Sequence, residues 1–201
     1  EFVTRFVGLE DLGPDYVYEG WLFTADGPVT SGRFDILKDD ETLSFEVSES
    51  LARASTAFVL TIEPAVGDDP APAPTHLLAG DLSGNISQLR VEHPAALGSN
   101  FEDSAGRYIL GVPSEPSAPY SQGIWFVDPA NGRSSLNLPE LPNGWAYEGW
   151  VVTENGPIST GRFTDLMSAD SDGAGPAAGP NAGPPFPGQD FVNPALALIG
   201  T

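Results

Sequence analysis

Two glutamates recur at matching places in the chain, and paired carboxylates of this kind could do acid–base chemistry. Glu19 and Glu148 are offset by 129 positions, and two acids that flank a sugar bond are the machinery of glycoside hydrolysis. Each has an arginine, Arg33 or Arg162, on the strand expected to face it. We therefore prefer a structural ion pair within each copy, which contributes about 0–1 kcal/mol where it is exposed.

Three aspartates could bind a metal ion. Asp165, Asp170 and Asp172 precede Gly173 and resemble half of a calcium-binding loop, but the full pattern with its closing glutamate is absent. Two hypotheses follow. Either a structural calcium ion lies near Asp170 and Asp172, or the aspartates form a solvated acidic loop.

The remaining candidates for catalysis do not converge on one site. The chain has no cysteine, which excludes thiolate catalysis and disulfides. His76 and His93 fall in predicted loops, and no Gly-x-Ser-x-Gly nucleophile motif accompanies them. We expect no catalytic, cofactor-binding or metal-binding residues, and we expect the protein not to be an enzyme.

Tryptophan side chains could form a flat platform for sugar binding. The four candidates are Trp21, Trp125, Trp145 and Trp150. Three of them lie in or beside a repeated strand pattern, so packing in the core is the preferred interpretation.

Charge and composition limit the partners. The chain has 201 residues and a net charge of −20, and Lys38 is its only lysine. Binding to nucleic acid or to an anionic membrane needs a basic surface, so we expect neither. No apolar run approaches the roughly 20 residues of a membrane span, and the strand-like start at Glu1 predicts an exported product whose signal has been removed.

A repeat is the most informative pattern in the sequence. YEGWLFTADGPVTSGRF at 18–34 returns as YEGWVVTENGPISTGRF at 147–163, with ten of seventeen residues identical. The pattern predicts a β-hairpin with a loop at Asp26-Gly27, which would place Trp21 opposite Gly32. The predicted core of the repeat comprises Trp21, Gly32, Phe34, Trp150, Gly161 and Phe163.

Short alternating strands separated by Gly and Pro predict an all-β protein. We expect two related β-sandwich units, of immunoglobulin-like or jelly-roll-like form, at residues 1–134 and 135–201. The second unit contains a Gly/Pro-rich loop at 173–188 and is incomplete, because nothing in it corresponds to the apolar strand AFVLTIEP of the first unit.

A sheet that lacks a central strand has unpaired backbone groups, which a strand from another molecule could satisfy. We expect the N-terminal segment to be the donor and the C-terminal segment to line the acceptor edge. The expected donor residues are Phe2, Val3, Phe6 and Val7, and the expected acceptor residues are Leu196, Leu198 and Ile199.

The stretch TAFVLTIEPAVGDDPAPAPTHLLAGDL at 56–82 resembles the extracytoplasmic domain of anti-sigma-K-type factors. The residues that carry the resemblance are Thr61, Glu63, Pro64, Gly67, Pro74, Thr75 and Gly80. The resemblance covers about residues 16–82 and part of 145–201, and it implies an exported bacterial β-sandwich domain. Such factors also need a sigma-binding helical region and a membrane span, and this sequence has a pattern for neither. The resemblance therefore does not imply control of transcription here.

These observations favour an extracellular structural protein that assembles with copies of itself, into a filament, by strand complementation. Two alternatives stay open. One is a monomeric cell-surface module that binds glycans or proteins, and the other is the sensor domain of an anti-sigma-like protein.

Overall fold

The computed structural model describes residues 1–35, 42–193 and 195–198. Within these ranges the regular structure is almost entirely β, with one six-residue helix and one three-residue 3₁₀ turn. The predicted all-β class is therefore confirmed. None of the described helices has the length and apolarity needed to cross a bilayer.

The chain forms two compact units. Unit 1 comprises Glu1–Asn100 and Pro142–Gly144, and unit 2 comprises Phe101–Leu141 and Trp145–Thr201. The boundary expected from the repeat, at 134/135, lies inside unit 2. The physical reason is strand pairing, because strands from the 105–125 region pair with strands that follow residue 135.

In unit 1 the strands are β1 (Phe2–Arg5), β2 (Tyr16–Thr24), β3 (Gly27–Phe34), β4 (Thr42–Phe45), β5 (Ser55–Pro64) and β6 (His76–Asp81), and the helix α1 spans Glu49–Ala54. In unit 2 the strands are β7 (Ala105–Gly106), β8 (Ile109–Leu110), β9 (Gly123–Trp125), β10 (Val127–Asp128), β11 (Arg133–Ser134), β12 (Leu136–Asn137), β13 (Tyr147–Thr153), β14 (Gly156–Phe163) and β15 (Gly188–Asp190). The 3₁₀ turn spans Tyr120–Gln122.

A four-stranded antiparallel sheet in the order β3-β2-β5-β6 is the framework of unit 1. Its central strand β5 has the sequence STAFVLTIEP, and this apolar and β-branched run favours a strand that is buried on both faces. The core on one face contains Tyr18, Leu22, Phe58 and Leu60. Phe6, which follows β1, packs into the same core, and β1 pairs with β4 as a separate two-stranded sheet.

The two repeated segments form hairpins with the same register. β2–β3 closes with Thr24 opposite Gly27, and β13–β14 closes with Thr153 opposite Gly156. Each threonine hydroxyl donates to the carbonyl of the glycine opposite, at 2.9 and 2.8 Å respectively. Both hairpins also carry a bulge beside the tryptophan.

The loop expected at Asp26-Gly27 is one residue too late, because the two loop residues are Ala25 and Asp26. Gly27 has φ of 118° and opens β3, a conformation that favours glycine. With the bulge, this register places Trp21 opposite Thr30 and leaves Gly32 opposite Gly20.

Unit 2 contains several small sheets, in the orders β15-β9-β8, β12-β7, β10-β11 and β13-β14. The fully buried Trp125 of β9 lies at its interior. The shared architecture of the two units is therefore the hairpin, and their relation as two β-sandwiches stays a prediction.

We expect Phe58→Ala to lower the free energy of unfolding by about 3–5 kcal/mol, because it removes a large buried ring and leaves a cavity. Phe58 is 0% exposed and stacks on Phe2 with centroids 5.2 Å apart. The matched control is Val66→Ala at an exposed loop position, expected to change stability by less than about 0.5 kcal/mol. Urea denaturation followed by circular dichroism measures both, and equal effects of the two changes would contradict this account of the core.

Candidate functional site

The edge of β13 that faces away from β14 is the candidate site. In unit 1 the repeated strand β2 is flanked by β3 on one edge and β5 on the other. In unit 2 β13 pairs with β14, and no other strand of the described residues pairs with it. The same sequence motif therefore has two partners in one unit and one partner in the other.

This difference changes the environment of the repeated tryptophan. Trp21 on β2 is 3% exposed, and its Nε1 donates to the Thr61 hydroxyl on β5 at 2.9 Å. Trp150 on β13 is 53% exposed, and Val152 is 80% exposed. The expectation that Trp150 lies in the core is not met, because the strand that would cover it is absent from the described sheet.

The backbone of β13 presents hydrogen-bonding groups along the same edge. The residue pair that closes a two-residue hairpin loop is joined by backbone hydrogen bonds. Hydrogen-bonded and non-hydrogen-bonded residue pairs then alternate along the two strands. Since Thr153 closes the loop opposite Gly156, Val152 and Trp150 direct their N–H and C=O groups away from β14. Exposed groups of this kind are a template for another strand.

The expected donor residues divide between the core and the surface of unit 1. Phe2 stacks on Phe58, and Phe6 is 5% exposed. Val3 and Val7 are exposed. The segment is therefore held in unit 1 by its phenylalanines and by four residue pairs with β4.

The expected acceptor residues do not form the open edge. The N–H of Leu196 donates to the Phe191 carbonyl at 3.1 Å, and that of Leu198 to the Ser121 carbonyl at 2.8 Å. Ile199 lies outside the described residues. The sequence signal that could have found this edge is the repeat itself, because β13 matches β2, and no described strand takes the place of β5 beside it.

The repeated aromatic pair makes the same contact in both units, whereas the repeated glycine does not. The ring centroids of Phe34 and Tyr18 lie 5.6 Å apart, and those of Phe163 and Tyr147 lie 5.7 Å apart. Gly32 has φ of 139°, and a side chain there would meet the Phe45 ring. Gly161 has φ of 92°, and a side chain at that position would meet the Asp170 carboxylate instead.

The ion pairs predicted for each hairpin are confirmed. Arg33 Nε lies 3.4 Å from Glu19 Oε2, and Arg162 Nε lies 3.0 Å from Glu148 Oε2. Burial raises the pKa of Glu19, partly offset by the Thr30 hydroxyl and Arg33. The pKa of the more exposed Glu148 is lowered, chiefly by the hydrogen bond from Ser159. Each carboxylate is thus engaged within its own hairpin.

Two other carboxylates are fully buried, and their burial was not predicted from the sequence. Glu63 accepts hydrogen bonds from the Thr61 hydroxyl and from the Ala73 N–H. Asp190 accepts them from Ser114 N–H at 2.9 Å and from Trp125 Nε1 at 2.8 Å. Each carboxylate joins its strand to a neighbouring loop by hydrogen bonds. Buried polar groups that are hydrogen-bonded in this way stabilise the position of the loop.

Asp170 is a third buried carboxylate. It accepts the N–H of Gly188 at 2.8 Å and that of Asp172 at 3.2 Å. Burial, with the neighbouring Asp172 carboxyl, raises its pKa to about 6. No group of three or more candidate metal ligands occurs among the described residues, and the calcium hypothesis at Asp170 and Asp172 stays a prediction.

The histidines have ordinary structural contacts. His76 opens β6 rather than lying in a loop, and its Nδ1 lies 2.9 Å from the Ala95 carbonyl. His93 Nε2 lies 3.5 Å from Asp81 Oδ1. Neither contact includes a serine or threonine that could act as a nucleophile.

We expect Trp21→Ala to cost about 3–5 kcal/mol of unfolding free energy, because it removes a buried indole and leaves the Thr61 hydroxyl without its donor. The matched change Trp150→Ala is expected to cost less than about 1 kcal/mol in the isolated chain, because half of that side chain is already in water. Chemical denaturation of dilute protein measures both. A cost for Trp150→Ala as large as that for Trp21→Ala would contradict the open edge.

We expect Asp170 to make stability depend on pH. Its folded pKa lies above the unfolded value of about 3.9, so its contribution is fully present below about pH 4 and is lost as pH rises through about 6. Asp170→Asn should therefore flatten the fall of unfolding free energy between pH 4 and pH 6. The control Asp165→Asn should leave that range unchanged, because hydrogen bonds lower the pKa of Asp165. Denaturation at several pH values tests both variants.

Comparisons with protein-family models, with curated proteins and with solved structures found no match to this chain. The functional proposal therefore depends on the contacts and exposed surfaces of the chain's own residues.

Proposed function

We propose that this protein is an extracellular structural subunit that joins copies of itself by strand complementation at the open edge of β13. The observation that carries the proposal is the contrast between the two copies of one motif. Trp21 is covered by β5 and bound to it, whereas Trp150 and Val152 are exposed beside unpaired backbone groups. A strand added along β13 would bury both side chains and pair the backbone.

The donor in this proposal is β1 of a second copy. β1 pairs with one strand among the described residues and borders a cavity of about 1190 Å³ whose walls include Phe2–Val7 and part of α1. Its release exchanges the contacts of Phe2 and Phe6 in one unit for new contacts on another. Because β1 leaves β4 for β13, the new backbone pairing and the burial of Trp150 and Val152 must offset the contacts that are lost.

The donor belongs to unit 1 and the acceptor to unit 2. A contact between two different surfaces is head-to-tail, and it generates open chains unless the rotation closes a ring. We therefore propose a filament. The net charge of −20 opposes association of copies, and salt that screens this repulsion should favour assembly.

The second candidate is a cell-surface binding module, and the exposure of Trp150 favours it. An exposed indole can stack on a sugar ring or fill a pocket of a partner protein. A platform of four tryptophans is not formed, because Trp21 and Trp125 are buried. This candidate requires a chain that stays monomeric while Trp150 contributes to ligand binding.

We expect Val152→Lys to abolish assembly, because a charged side chain on an exposed strand edge opposes the addition of another strand. Light scattering after size-exclusion chromatography should show wild-type particles much larger than one chain, with electron microscopy showing their form. The variant should have the mass of one chain at every salt concentration.

The matched control is Val66→Lys. Val66 is 89% exposed on a loop outside β13, so this change alters charge equally without touching the edge and should leave assembly intact. A monomeric wild-type protein over a wide range of concentration and salt would refute the proposed function. Equal assembly of Val152→Lys and wild type would refute the role of β13.

A further inference from the structure

The β2–β5 pair in unit 1 indicates which kind of strand would fit the open edge of β13. Across this antiparallel pair Val59 lies opposite Trp21, and Thr61 lies opposite Glu19. The Trp21 Nε1 donates diagonally to the Thr61 hydroxyl, and both side chains are buried. The partner of this motif therefore has an apolar residue followed, two positions later, by a threonine.

The strand β1 has the same pattern. Phe2 and Thr4 are two residues apart, as Val59 and Thr61 are, and their side chains share one face of the strand. Thr4 is 8% exposed, and its hydroxyl has no hydrogen-bond partner within the described residues. A buried hydroxyl without a partner carries an energetic cost that a suitable donor would remove.

The register follows from transferring the unit 1 pairing to β13 at the offset of 129. Phe2 then lies opposite Trp150, and Thr4 lies opposite Glu148, in an antiparallel strand. Aromatic cross-strand pairs such as Phe2 with Trp150 are favourable. Val3, on the other face, falls opposite Gly149, in the position that Leu60 has opposite Gly20 in unit 1.

We propose that the indole Nε1 of Trp150 in one copy binds the Thr4 hydroxyl of the next copy, and that this contact selects the donor strand and fixes its register. The inference rests on the proposed assembly and adds the contact that makes it specific. A shift by one residue would turn Thr4 to the opposite face of the sheet. The buried indole N–H would then lack an acceptor, so slipped or unrelated strands are discriminated against.

The test uses the full chain and synthetic peptides, so that changes in the donor do not disturb unit 1. The probes are fluorescently labelled EFVTRFV, which is residues 1–7, and the same peptide with Thr4→Val. The proteins are wild type, Trp150→Phe and Val152→Lys. Fluorescence anisotropy gives peptide affinity, and light scattering shows whether the peptide prevents assembly.

We expect EFVTRFV to bind the wild-type chain and to prevent assembly, and the Thr4→Val peptide to bind about 5- to 10-fold more weakly. On Trp150→Phe, which lacks the N–H donor, the two peptides should bind equally, because the contact that distinguishes them is gone. Val152→Lys should bind neither peptide. A labelled peptide of residues 56–64, which contains all of β5 except Ser55, is the positive control for the edge.

Each contrary outcome points to a different error. Equal binding of the two N-terminal peptides to wild type would overturn the Thr4–Trp150 contact and leave strand addition intact. Binding of the 56–64 peptide without binding of EFVTRFV would overturn β1 as the donor. Failure of all peptides, with assembly unaffected by Val152→Lys, would overturn strand addition at β13, and a monomeric wild-type chain would overturn the proposed function itself.

Discussion

The rest of the structure depends on the need of a β-strand for hydrogen-bonding partners on both edges. β2 meets this need with β3 and β5, and the sheet that results carries the main core of unit 1. β13 meets it on one edge within the described residues. Because the two strands have nearly the same sequence, the difference between them arises from what lies beside them.

Buried polar groups determine where the loops lie around these strands. Glu63 holds the segment that contains Ala73 against β5, and Asp190 holds Ser114 against β15 and β9. Carboxylates in such positions are costly unless their partners are in place, so they favour one arrangement of the loops. In the same way the Trp21–Thr61 hydrogen bond joins β2 to its correct partner strand. Side-chain polar contacts thus supplement the apolar core in specifying which segments meet.

Local patterns in the sequence predicted the all-β class, the hairpins and their ion pairs, because each depends on residues that are close in sequence. The predicted register of the first hairpin was wrong, because the true register depends on the Thr24 hydroxyl and on the conformation of Gly27. Strand alternation in the sequence does not encode either of these. The exposure of Trp150 could not be read from its own segment, since the burial of Trp21 is due to β5, about forty residues further along the chain. The burial of Glu63 and Asp190 was not predicted, because the resemblance that includes Glu63 gives no role for its carboxylate, and nothing distinguishes Asp190, in sequence, from the other acids of the chain.

Among the described residues only one of the two hairpins has an open edge, and this gives the proposed filament a direction. One terminus of such a filament always presents an unoccupied β13 edge, whereas the other presents a subunit whose β13 is filled and whose own N-terminal strand has not been donated. The two termini are chemically different, so they will grow at different rates. A small molecule or protein that covers Trp150 would therefore stop growth at one terminus and leave the other active.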